Sequence, residues 1–139
     1  MRNRPAITLF NLFNSLSSSM DLISPAVVNH HKRVAYIAAC IAVNLGFEIR
    51  ELRDVILAAL LHDVGVFSSQ SRIESLQFEF DKPHKHAEIG YLVLRKLERF
   101  SHIATLIRYH HTPWNERGLA NTLEIPQSSH IINLADRVD

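Results

Sequence analysis

The chain has 139 residues, with 15 Lys and Arg against 14 Asp and Glu, 47% hydrophobic residues, nine His and one Cys. A chain of this length buries roughly two-thirds of its unfolded surface, which is enough for one domain without disulfides. The composition excludes collagen, low-complexity disorder and a disulfide scaffold, and a formal charge of +1 supplies no global field for stable nucleic-acid or anionic-lipid binding.

Helical periodicity dominates, with no convincing period-two strand, so the expected fold class is all-α. Residues 1–23 read as an N-terminal helical segment, with Ile7, Leu9, Phe10, Leu12, Phe13, Leu16 and Met20 in a stripe weakened at its end by serines. Met1-Arg2-Asn3-Arg4-Pro5 has the charge of a signal peptide, but Asn11, Asn14 and Ser15 to Ser19 interrupt the apolar run that should follow. The longest apolar run, Val34 to Val43, is ten residues, about half of the ~20 a bilayer requires. No membrane span and a cytoplasmic location are therefore expected, and the lone Cys40 fits a reducing compartment.

Residues 24–139 form the main domain in this reading. Ser24-Pro25 reads as an N-cap with proline at the first helical position, opening a helix through Val27, Val34, Ile37, Ile41 and Leu45 that Gly46 stops. A third helix runs from Glu48 to Leu61, with Ile49, Leu52, Val55, Ile56, Ala59 and Leu60 inside. Residues 66–83 loosen into a polar surface stretch suited to a lid. A helix from His86 to Phe100 then buries Ile89, Leu92, Val93 and Leu97. Ser101 caps the next helix, which carries Ile103, Leu106, Ile107 and His110 and ends at Thr112-Pro113. A last apolar run from Ser129 includes Ile131, Ile132, Leu134 and Val138 and meets no C-cap at Asp139, which reads as a fragment truncated at its C-terminus.

Seven polar residues sit on or beside these apolar stripes: His30, His62, Asp63, His86, His110, His111 and Asp136. Each has an ordinary reading alone, as a hydrogen-bonded core histidine, a first-turn residue or a helix C-terminal cation. Together they are the donor set of a metal site, because neutral imidazole and carboxylate suit divalent iron, manganese, nickel or zinc. Seven donors exceed what one four- to six-coordinate ion with an open position uses, so two ions are expected, iron or manganese first.

The ordered set His30-His31-Lys32-Arg33-Val34, His62-Asp63-Val64-Gly65, His86-Ala87-Glu88-Ile89-Gly90, His110-His111 and Ala135-Asp136-Arg137-Val138-Asp139 resembles the HD phosphohydrolase superfamily, most closely its HD-GYP branch. The resemblance covers residues 30–139 and implies an HD-type helical bundle around a dinuclear metal centre. One ion would take His30, His62, Asp63 and Asp136, and the other Asp63, His86, His110 and His111. It further implies phosphodiester hydrolysis, with cyclic di-GMP or a related nucleotide as substrate, Asp63 as the catalytic bridge and a hydroxide held between the ions as nucleophile. The motif His-x-x-Arg-Val selects His30 over His31, and Arg33 is expected to orient a carboxylate near the site.

Three departures qualify the resemblance. Val66 stands where the family has a phosphate-contacting lysine, and the loop from Thr112 to Ala120 keeps Trp114 and Gly118 but lacks Gly-Tyr-Pro. Ala26 stands where some members place a third-metal glutamate, which supports two ions rather than three. Arg72, Lys82, Lys85 and Arg117 are the cations available in place of the lysine; Lys85 and Arg117, with Trp114 at the entrance, are the candidate substrate contacts. The alternatives are a weakened HD-type signalling or binding module and a mononuclear nucleotidase, and the protein partners expected are a flanking sensor or receiver domain or a second copy. His31, His84, His102 and His130 are read as surface residues.

Overall fold

The computed structural model describes residues 8–22, 28–68, 83–116 and 125–139. Among them are six α-helices and no strand: α1 (Leu9–Asp21), α2 (His30–Asn44), α3 (Ile49–Leu60), α4 (Pro83–Leu94), α5 (Ser101–Arg108) and α6 (Gln127–Val138). The all-α expectation holds. No helix among the described residues is long and apolar enough to cross a membrane.

The centre of the bundle is the pairing of α2 with α3, flanked by α6 on α2 and by α5 on α3, while α4 lies against α5 and the 3-10 turn Val64–Ser68. The face of α2 that turns inward is made of small side chains, Val34, Ala35, Ala38 and Ala42, and it meets Ala58 and Ala59 of α3 in the same core. Small residues let the two backbones approach closely, which brings the chain segments at their ends within reach of one another. Leu45, Ile49, Leu92, Val93, Leu97, Leu134 and Val138, expected inside, are exposed instead. Leu45 and Leu97 lie just beyond the ends of their helices and Ile49 at the start of one, while the buried face of α2 is made chiefly of alanines and that of α4 includes Ala87 and Gly90.

Helix α1 joins this same core through Phe13 and Met20, with the Phe13 ring edge-on to Phe100 at 5.1 Å. Its serines do not fray it: Ser15, Ser18 and Ser19 each donate a hydroxyl to the carbonyl four residues back at 2.8–3.0 Å.

Several boundaries differ from expectation. Ser24-Pro25 lies outside the described residues, and α2 begins at His30, because Asn29 takes a left-handed conformation (φ 58°) that no helix can pass through. Gly46 (φ +76°) ends α2 as expected. α3 is opened by Glu48, whose backbone N–H donates to Glu51 at 3.0 Å. α4 stops at Leu94 rather than Phe100. Ser101 is the first residue of α5 rather than its cap, and α5 ends at Arg108, short of Pro113. Most of the expected lid, residues 69–82, lies outside the described residues, as does Arg117.

Candidate metal centre

Two of the helices end in the same device. His62 follows α3 and donates Nδ1–H to the Ala59 carbonyl at 2.8 Å; His110 follows α5 and donates Nδ1–H to the Ile107 carbonyl at 2.6 Å. Each ring bonds a carbonyl in the last turn of its own helix, where carbonyls lack their regular intrahelical partners; that of Ile107 also accepts the His110 backbone N–H at 3.3 Å. The tautomer is thereby set, and each Nε2 points away from its own helix with a free lone pair. Both rings are buried, at 1% and 0% exposure.

His30 opens α2 and is held by Asp139, whose carboxylate accepts from its Nδ1 at 2.8 Å. Arg33, one turn further on, donates to both oxygens of Asp139 at 2.5 and 2.8 Å and to the Val28 carbonyl at 2.7 Å. Arg33 thus orients a carboxylate at the site, as expected. His30 Nε2 faces Asp136 of α6 at 3.3 Å, and His62 Nε2 lies 3.5 Å from the same oxygen. On the other side, His86 in the first turn of α4 brings its Nε2 to 2.8 Å from that of His111 and 3.4 Å from that of His110.

Asp63 stands between the two groups. Its Oδ2 lies 3.2 Å from His62 Nε2, and its Oδ1 lies 3.1 Å from His86 Nε2 and 4.0 Å from His110 Nε2. All seven candidate ligands converge, as two clusters that share this carboxylate, with His86, His110 and His111 mutually close and His30, His62 and Asp63 likewise. Metal–nitrogen bonds of about 2.0–2.1 Å place neighbouring ligand atoms roughly 2.9–3.4 Å apart, the spacing that most of these contacts show.

The residues fit a divalent cation on a further ground. His62 Nε2 is buried with no hydrogen-bond partner, yet it faces carboxylate oxygens of both Asp63 and Asp136. A lone pair opposite two carboxylates is repulsive unless a cation sits between them. In the protein alone that cation is a proton. Burial pushes the His62 pKa down, but the adjacent Asp63 charge overrides it and raises it well above the usual 6.5. His30 is raised by its contact with Asp136. Burial acts to raise Asp63 and Asp136, but the surrounding imidazoles, His62 for Asp63 and His30 first for Asp136, hold both below the usual carboxylate range. Burial and the neighbouring imidazoles have the opposite effect on the far cluster: His110 is lowered well below 6.5, and His111 falls to about 4.

These opposed shifts predict the pH profile of the chelator-treated protein. Below 6.5 the unfolded chain takes up protons that folded His110 and His111 refuse, so stability falls as pH drops toward about 4. Above 6.5 the protons that favour folding through His62 and His30 are lost, so stability falls again as pH rises. Melting temperature measured from pH 4.5 to 9 should therefore peak near 6.5, and added manganese should flatten the alkaline limb by replacing those protons. A metal-free profile that climbs steadily to pH 9 would contradict this arrangement.

Two histidines read as surface residues are buried instead. His130 is 6% exposed, with its Nδ1 2.9 Å from the Thr112 carbonyl and its ring edge-on to Trp114. His31 is 3% exposed, because it turns inward beside His30 and His62. His84 and His102 are exposed, as expected. Lys85 is exposed on the first turn of α4, next to His86, and Trp114 is half exposed. Val66, at the position of the missing lysine, lies in the 3-10 turn directly after the site.

Comparison with known proteins gives one family match: the family described as HD domain, over residues 27–139. Among curated proteins, the chain is 29% identical to the 3'3'-cGAMP-specific phosphodiesterase 1 of Vibrio cholerae, covering 96% of this chain and 31% of that protein. It is 28% identical to the cyclic di-GMP phosphodiesterase response regulator RpfG of Xanthomonas campestris, over 78% of this chain and 31% of that protein. It is also 28% identical to a cyclic di-GMP phosphodiesterase of Thermotoga maritima, over 94% of this chain and 38% of that protein. The chain thus spans about a third of the length of the curated relatives it matches. No solved structure gives a significant match.

Proposed function

Because the chain belongs to the HD domain family, we propose that it is a metal-dependent phosphohydrolase that cleaves a phosphodiester, with a cyclic dinucleotide such as cyclic di-GMP or 3'3'-cGAMP as substrate. The observation that carries this reading is the division of Asp63, one oxygen toward His62 and the other toward His86. A carboxylate placed so is built to be shared by two cations, iron or manganese before nickel or zinc. His30, His62 and Asp136 would hold one, and His86, His110 and His111 the other. Bound there, a pair of divalent ions supplies Lewis-acid activation of a phosphoryl group and of the attacking water.

The chain's own residues set the conditions for that chemistry. Asp63 and Asp136 are ionised at neutral pH, and His110 and His111 are neutral, as ligation requires, whereas the raised His62 and His30 would give up their protons to a bound cation. Asp139 and the helix-end carbonyls of Ala59 and Ile107 keep three of the rings from turning away. With Val66 in place of lysine, phosphate recognition loses a charge-assisted contact of about 1.5–3 kcal/mol. Lys85 and Arg117 are the cations assigned to take its place, with Trp114 against the base.

Manganese- or iron-loaded protein should hydrolyse bis(p-nitrophenyl) phosphate and a cyclic dinucleotide, and chelation should abolish both activities. The absent lysine favours a second reading, a signalling or binding module on the same scaffold. About two ions per chain would favour the enzyme, none would favour the module, and one ion per chain with nucleotide hydrolysis would favour a mononuclear nucleotidase.

A further inference from the structure

The ring of His31 repeats the arrangement of the assigned ligands. Its Nδ1 lies 3.0 Å from Oδ1 of Asp21, the last residue of α1, as that of His30 lies against Asp139. Asp21 is itself buried, and its other oxygen accepts the Asn29 backbone N–H at 2.9 Å, which fixes the carboxylate in place. With Nδ1–H directed at Asp21, the free lone pair of His31 is on Nε2. That atom is buried, has no hydrogen-bond partner, and faces Asp63 Oδ2 at 3.7 Å; the His31 side chain is only 4% exposed. His62 Nε2 faces the same oxygen at 3.2 Å and is also without a partner. Two buried imidazole lone pairs directed at one carboxylate oxygen call for a positive charge among the three atoms.

We propose that His31 is an eighth ligand residue of the centre, donating Nε2 to the cation on the Asp63 Oδ2 side and held for that task by Asp21 of α1. The separation of 3.7 Å between His31 Nε2 and Asp63 Oδ2 is within what two ligands of one ion span, at most about twice a 2.1 Å bond. A histidine whose second nitrogen is anchored on a carboxylate is the usual form of a metal-bound imidazole. The assignment rests on the metal-centre reading above and extends it in two respects. His31 lies outside the set that the motif selects, and Asp21 precedes residues 27–139, so a helix before the family match becomes part of the site.

The test uses the whole chain loaded with cobalt(II), whose visible absorption reports coordination number and whose affinity is read by titration against a chelator. His31→Gln keeps the side chain's bulk and a donor for Asp21 but removes the ring nitrogen; Asp21→Asn keeps the ring and weakens its anchor, leaving one neutral acceptor oxygen for both the ring and the Asn29 N–H. His31→Gln should weaken one of the two ions by at least 10-fold and change the cobalt spectrum, while the other ion binds as before. Asp21→Asn should weaken the same ion by a smaller factor, with far-UV circular dichroism of both variants unchanged. Wild-type affinity and spectrum in folded His31→Gln would overturn the proposal, whether or not the protein hydrolyses phosphodiesters. If His31→Gln does not fold, Asp21→Asn decides: an unaltered cobalt spectrum in that variant overturns the proposal equally. Metal bound as proposed without turnover would overturn the hydrolase reading and leave the ligand assignment standing, and no metal bound by the wild type would overturn both.

Discussion

Asp63→Asn should strip metal from both halves of the centre at once. Its two oxygens face different imidazole groups, at 3.2 Å to His62 and 3.1 Å to His86, so a neutral amide weakens both positions. The amide also presents an N–H in place of one acceptor oxygen, which no cation can use. Loss of a supporting partner costs about 10–100-fold in metal affinity, and loss of the shared ligand should exceed the upper figure at each position. His86→Ala is the contrast, since it touches only the Oδ1 side and should empty one position while His30, His62 and Asp136 keep the other. Metal content after dialysis, with chelator competition, separates the two outcomes. One ion retained at full affinity in Asp63→Asn would show that the carboxylate serves a single cation.

Gly65→Ala should be the most destabilising of the glycine-to-alanine changes among the described residues. A Cβ at this position would stand 1.9 Å from the backbone oxygen of His86 and 2.7 Å from the backbone nitrogen of Gly90. Both are backbone atoms of α4 and cannot rotate aside, so the whole helix must move off the 3-10 turn. Overpacking of a well-filled core costs about 1–3 kcal/mol, and a rigid clash of this depth belongs at or above the top of that range. For a domain of this size about 3 kcal/mol corresponds to a fall in melting temperature of roughly 10 °C. The displaced helix carries His86, so the ion on the Oδ1 side should be lost as well. Gly90→Ala is the control: its nearest neighbours are side-chain atoms of Ile107 and Val64 at 3.1 and 3.2 Å, which can yield by a few tenths of an ångström. A melting temperature for Gly65→Ala within about 2 °C of wild type would contradict the close approach.

The glycine of the His-Asp-Val-Gly string is therefore explained by contact rather than by backbone conformation, which motif reading alone does not reveal. The seven candidate ligands were legible because they fall on, beside or at the end of apolar stripes and because their order along the chain resembles the HD motifs; spacing alone could not group them. His31 was not, because it is adjacent to His30, and the motif could select only one of the pair. Its signal lies in Asp21, whose carboxylate is held by the backbone N–H of Asn29, the left-handed residue just before α2. The helices were legible but their buried faces less so. Pattern reading gives weight to large apolar residues, whereas this bundle packs on Ala35, Ala38, Ala42, Ala87 and Gly90. Close helix packing favours the smallest side chains, and an alanine on a helical wheel carries little hydrophobic signal.

The helix-end histidines also make part of the centre a local feature of the chain. The Ala59 and Ile107 carbonyls lie only three residues from the rings they anchor, so the orientation of these two rings depends on their own helix ends rather than on a neighbouring segment. If the centre holds metal as proposed, these two rings should keep their orientation when the ion is removed, in contrast to zinc fingers, whose chains stay unfolded until the ion arrives.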